Sequence, residues 1–269
     1  MFINKSVLSL CGLLTISTFV NAYDQTCYEN AINSVKNLSK CDLSDADLTQ
    51  GNSIPRKDYN GVTLTHANLS NTNMYGVYLN NADLKFTNMK GVILYYADAQ
   101  NTNMSFADLE KSTLNVANLS SAKLIQANLS NSDLTGASLF FADFSAANLQ
   151  NANLSYTMMA ETDLKYANFS HASIEGAEAG SSNYSYANFN NATLQHAQLI
   201  SSNFSHANLS NANLSYADFR NTNLTSANLE GANLEQANFC GATWIDGDLC
   251  HEGSIGFCLK EGPNPGVCN

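Results

Sequence analysis

The chain has 269 residues, 44% hydrophobic and only 13% charged, enough apolar material for a sizeable core and too little charge for a disordered polyelectrolyte. Its 12 Lys and Arg stand against 23 Asp and Glu, a formal charge of −11 that repels phosphate backbones and anionic membranes and excludes a polybasic nucleic-acid binder. Three prolines exclude a proline-rich stalk.

Residues 1–22 read as a secretory signal. Lys5 supplies the positive n-region, Val7 to Val20 the apolar run, and Val20-Asn21-Ala22 a cleavage site after Ala22. The run falls short of the ~18 residues that span a bilayer. Bulky Leu10 before Cys11 argues against a lipoprotein site. No second apolar run follows, so the mature chain is expected to be exported, without a membrane span and without a nucleic-acid partner.

Removing 1–22 leaves six cysteines as disulfide candidates: Cys27, Cys41, Cys240, Cys250, Cys258 and Cys268. Cys27–Cys41 is the natural N-terminal pair, and the other four allow three connectivities. No CxxC spacing supports the competing zinc reading. Residues 23–41 read as an N-terminal cap. Within it, apolar positions at Cys27, Ala31, Ile32, Val35 and Leu38 predict a short helix over Asp24 to Leu38.

From 42 to 250 the sequence keeps a period of five. Stepping from Leu64 to Leu249 gives 38 positions, 36 of them Leu, Phe, Met, Ile, Tyr or Trp; the exceptions are Ala99 and Ala179. Two residues before each centre lies a second column, Val62 to Gly247, made only of Ala, Ser, Thr, Val and Gly. Neither a helix nor a flat strand has this period. One large and one small inward residue per five fit one short side of a coil that ends in a corner, and stacked coils make a solenoid.

Units such as Ala117-Asn118-Leu119-Ser120-Ser121 and Ala212-Asn213-Leu214-Ser215-Tyr216 resemble those of the pentapeptide-repeat family. The resemblance implies an all-β, right-handed quadrilateral β-helix with four pentapeptides per coil. Forty units from Ile54 to Leu249 would make ten coils, a rod of roughly 45–50 Å at the inter-strand spacing. Leu43 and Leu48 are out of register with them, so Gln50 to Asp58, with Pro55, reads as an irregular first coil or loop. The family also contains DNA mimics that protect topoisomerases; the export signal and the sparse acids oppose that role here.

The corner residue two places after each centre falls into two chemical types. Asn71, Asn81, Gly91 and Asn101 suit type II turns, which need φ > 0. Rings at His66, Phe86, Phe106, Tyr96, Tyr166 and Tyr186 are expected to use a different turn and to stack along the rod. Residues 251–269, with Pro263 and Pro265, read as a disulfide-stapled C-terminal cap.

No catalytic constellation, cofactor motif or metal-ligand spacing emerges. His66, His171, His196, His206 and His251 are dispersed. Asp143 and Asp163 should stack one strand spacing apart, as a cation site or as solvated repeat residues. The reading is a non-enzymatic, exported scaffold for a protein or glycan partner. Its candidate contact surface is Tyr75, Tyr78, Ile93, Tyr95 and Tyr96, which stand out from the Asn, Ser and Asp elsewhere. The competing reading of these rings is a ladder that only stabilises adjacent coils.

Overall fold

The structure is a computed structural model that describes residues 23–49 and 56–260. The predicted signal segment, Gln50 to Pro55, Pro263, Pro265 and Cys268 lie outside the described residues. The chain enters through helix α1, Gln25–Ile32, whose N-cap Asp24 accepts hydrogen bonds from the N–H groups of Thr26 and Cys27. These satisfy two of the donors a helix leaves free at its start. A Cys27–Cys41 disulfide and a bond from Asp24 N to Asp42 O hold α1 on the end of the rod.

The helix stops six residues short of the expected end at Leu38. Ser34 turns to φ 62°, Val35 faces solvent, and Leu38 is buried as the first centre of the solenoid. The three-residue spacing of Ile32, Val35 and Leu38 imitates a helix face, but the coil above offers a stronger partner. Leu38 N donates to Thr63 O at 2.8 Å, and Asn37 pairs with Thr63.

Beyond that point parallel bridges recur every 20 residues, one on each of four sides: Thr63 with Asp83, Asn68 with Asn88, Asn73 with Ile93, Tyr78 with Asp98. In the earliest coil the offset is 26 residues, Asp42 pairing with Asn68 and Asp47 with Asn73. The six extra residues fall between the buried centres Leu48 and Tyr59, where the break in register was expected, and Tyr59 donates its hydroxyl to Leu48 O.

One unit explains why five residues suffice. In Ala67–Asn71 every N–H is used. Ala67 N closes the preceding turn on Leu64 O, and Asn68 N reaches back to Cys41 O. Leu69 N and Asn71 N reach forward to Asn88 O and Lys90 O, while Ser70 N is taken by the Asn68 side chain at 3.2 Å. Leaving such donors unmet in a half-buried wall would cost roughly 1–3 kcal/mol each, so this accounting is what makes a one-bridge strand stable.

All four corner columns share one conformation, contrary to the expectation of two. His66, Phe86, Tyr96 and Tyr166 lie at φ 58–61°, as do Asn71 and Asn81 at 55–60°. The corner must present its N–H to the next coil and close an i to i+3 turn, and that geometry demands φ > 0 whatever the residue. An L side chain there costs on the order of 1–2 kcal/mol, which ring stacking along the column offsets. The rings do stack: His66–Phe86 and Phe86–Phe106 each at 5.0 Å, Tyr166–Tyr186 at 5.1 Å.

The interior is a single apolar column of the centres and small residues, including Ala99 and Ala179. Near Ala179 the rings of Phe169 and Phe189 lie parallel at 4.7 Å, and buried Tyr184 stacks on Phe204 at 4.6 Å. Burial pushes the Tyr184 phenol pKa far up.

The parallel ladder ends with Asn223 and Thr243. Leu249, expected as the last centre, is 41% exposed and pairs antiparallel with Thr243. Gly247, at φ 91°, lets the chain fold back: Trp244 N donates to Asp248 O and Gly247 N to Trp244 O. Ile255 likewise pairs antiparallel with Asn238, covering part of the strand edge that a last coil exposes. Cys250 is bonded to Cys258, and Cys240 is also disulfide-bonded.

Candidate functional site

Tyr75 and Tyr95 follow the centres Met74 and Leu94 on the same side of successive coils, so the 20-residue register brings their rings together at 5.6 Å and 11°. Tyr96 turns the adjoining corner, its ring 6.5 Å from that of Tyr95. Ile93 bridges Asn73 and Thr113 in the wall below. Tyr75, Tyr95, Tyr96 and Ile93 are 38–47% exposed, while Tyr78, on the next side, is half-buried.

Tyr78 and Tyr96 share a residue that the sequence reading missed. The Arg56 guanidinium lies 4.3 Å from the Tyr96 ring centroid and 5.4 Å from that of Tyr78. Arg56, Gly76 and Tyr96 form one corner column at 20-residue steps, and the arginine side chain runs past Gly76, its Nε 3.8 Å from where a Cβ would stand, to reach Tyr96. The signal was present in that spacing, hidden because Arg56 follows the break in register.

Elsewhere many polar side chains bond along the wall. Asn128, Asn148, Asn168, Asn188 and Asn208 form a ladder, each amide donating to the residue one coil earlier. Asp143 and Asp163 do stack as bridge partners. However, Asp143 accepts the Ser145 N–H and hydroxyl, while Asp163 pairs with Lys165 at 3.1 Å. Lys90 lies between Glu110 and Asp108, each at 3.2 Å, and its hydrogen bonds to Glu110 and then Asp108 hold its pKa above the ordinary lysine value. Among the described residues no group of three His, Cys, Asp or Glu is placed to hold a metal ion. Nor is any helix there long and apolar enough to cross a membrane.

A quadrilateral coil of five-residue sides with an unbroken small–large pattern defines a class of solenoid. The pentapeptide-repeat family model matches residues 60–94, 114–144, 142–178, 181–211 and 202–241 in eight copies, and the chain belongs to that family. Its members fold as right-handed quadrilateral β-helices. Among solved structures, HetL, a pentapeptide repeat protein involved in heterocyst differentiation regulation from the cyanobacterium Nostoc sp. strain PCC 7120, is similar at 30% identity. That match covers 79% of this chain and 91% of HetL, with a TM-score of 0.51. Full-length QnrB1, a plasmid-mediated fluoroquinolone resistance protein, matches at 16% identity over 76% of this chain and 92% of its own, with a TM-score of 0.34. A pentapeptide repeat protein of the Arabidopsis thaliana thylakoid lumen matches at 29% identity over 42% and 65%, with a TM-score of 0.21. No curated protein sequence matches the chain.

Proposed function

We propose that the chain is an exported, non-enzymatic scaffold that binds a protein or glycan partner through the surface formed by Tyr75, Tyr78, Ile93, Tyr95 and Tyr96. The observation that carries this reading is the run of exposed rings from Tyr75 through Tyr95 to Tyr96. Tyrosine offers a large contact area and a polar tip at low entropic cost.

The remaining features support a passive rod. Among the described residues the stacked Asp143 and Asp163 are already engaged by Ser145 and Lys165, whereas glycoside hydrolysis needs two carboxylates free in a cleft. Disulfides at both ends suit an oxidising compartment, in keeping with export after cleavage at Ala22. A regular stack of about ten coils gives such a scaffold length and stiffness. Acids interrupted by neutral asparagines offer poor mimicry of a phosphate backbone, which disfavours a DNA-mimic role.

The test is capture from extracytoplasmic extracts, paired with a glycan array, using mature protein and its Tyr75→Ser/Tyr95→Ser variant. A partner retained by the parent and lost by the folded variant is the expected result. Equal retention by both would remove this surface from consideration.

A further inference from the structure

Five cations among the described residues are half-buried: Arg56, Lys57, Lys85, Lys165 and Arg220. Four of them have acceptors. Lys57 donates to Ile32 O, Lys85 pairs with Asp83 at 3.3 Å, Lys165 with Asp163 at 3.1 Å, and Arg220 with Asp218 at 2.8 Å. Arg56 is the exception: among the described residues its N–H groups meet no acceptor, and its guanidinium lies over the rings of Tyr96 and Tyr78.

The acids on the neighbouring side do not compensate it. Asp58 accepts from Asn60 N at 2.8 Å. Asp98 accepts from Gln100 Nε2 at 2.9 Å through one oxygen and from Asn80 Nδ2 at 3.2 Å through the other. A guanidinium held against a ring has lost water from one face, while its edge keeps donors in the fork geometry that matches a carboxylate. Stacking on Tyr96 over Gly76 also restricts its rotamers before any ligand arrives, which reduces the entropy lost on binding.

Resting on the binding role proposed above, we infer that Arg56 anchors this surface and that the occupant is an acidic peptide segment of a protein partner. Its carboxylate takes the open guanidinium edge, and a neighbouring apolar or aromatic residue of the same segment lies on Tyr75 and Tyr95. The charge distribution favours this end of the rod for such a partner. Of the eleven Lys and Arg after residue 22, seven precede residue 112, against ten of the 23 acids, so the negative charge concentrates in the remainder of the chain. Beyond a Debye length of about 8 Å that remainder is screened at physiological salt.

The experiment is titration of mature protein with a fluorescein-labelled random copolymer of glutamate and tyrosine, with polygalacturonate as a carboxylate-bearing glycan. The copolymer should bind saturably, more weakly as salt rises. Arg56→Gln should weaken it by about tenfold or more, the loss of one charge-assisted contact, with unchanged melting. Arg56→Lys, which keeps the charge without the fork, should fall between, and it decides the matter if the glutamine variant does not fold. No saturable copolymer binding, or equal binding by parent and both variants, overturns the proposal. Tighter binding of polygalacturonate than of the copolymer overturns the peptide assignment. If Tyr75→Ser/Tyr95→Ser abolishes binding while Arg56→Gln does not, the aromatic surface stands and the arginine anchor falls.

Discussion

Tyr184 carries its phenol hydroxyl to within 3.4 Å of the Met159 sulfur, one coil earlier and on the adjoining side. Ala179 lies one coil above Met159 in the same centre column, so the tyrosine leans into volume that a leucine at 179 would otherwise fill. Phe169 and Phe189, stacked at 4.7 Å on the opposite side, supply the rest. An alanine among leucines is therefore compensated packing.

Enlarging that position should overpack the coil. Ala179→Leu is expected to destabilise the protein by about 1–3 kcal/mol, read by chemical denaturation against the parent. Stability equal to the parent would mean that the site holds a cavity. Ala99 has Met89 and Leu109 opposite it, with no comparable rings, and should tolerate the same enlargement better.

The corners beside Ala179 depend on hydroxyls. Thr162 N donates to Ser182 Oγ and Ser182 N to Ser202 Oγ, each at 3.1 Å, where other corners close on the centre's carbonyl. Ser182 Oγ also donates to Met159 O at 2.8 Å. Ser182→Ala should strand the Thr162 N–H in a buried wall and cost roughly 1–3 kcal/mol. Faster amide exchange at Thr162 in the variant would locate the effect there, and unchanged exchange would contradict it.

The caps should depend on oxidation. The Cys27–Cys41 bond closes a 14-residue separation, for which the chain-entropy model gives about 3 kcal/mol. Exported protein should show no free thiols by alkylation and mass spectrometry, and Cys27→Ser should melt earlier. Six alkylatable thiols in native protein would contradict the stapled ends.

Much of this architecture was legible in the sequence because the interior obeys a strict volume rule, visible in columns from Leu64 to Trp244. What stayed hidden depends on hydrogen bonds between coils, which leave no hydrophobic trace. Leu38 imitated a helix position until Thr63 O was available to its N–H. The repeated asparagines show nothing of their pairing in the sequence: Asn68 satisfies Ser70 N and Asn88 donates to Asn68. Leu249 continued the period, yet Gly247 had already reversed the chain. At the candidate surface the tyrosines were evident from their departure from the repeat, but Arg56 was masked by the six-residue offset before it.

The central claim is that the Tyr75–Tyr95 pair serves recognition and is dispensable to the rod, and thermal melting of Tyr75→Ser/Tyr95→Ser tests it most directly. Both rings stand on the outside of the wall, where Tyr75 N donates to Asn73 Oδ1 and Tyr96 N to Asn115 O, while Ile93 offers Tyr95 N no such side-chain acceptor. The account predicts a melting temperature close to that of the parent, with partner capture lost. A clear fall in melting temperature with capture intact would make the pair a structural ladder and contradict the account.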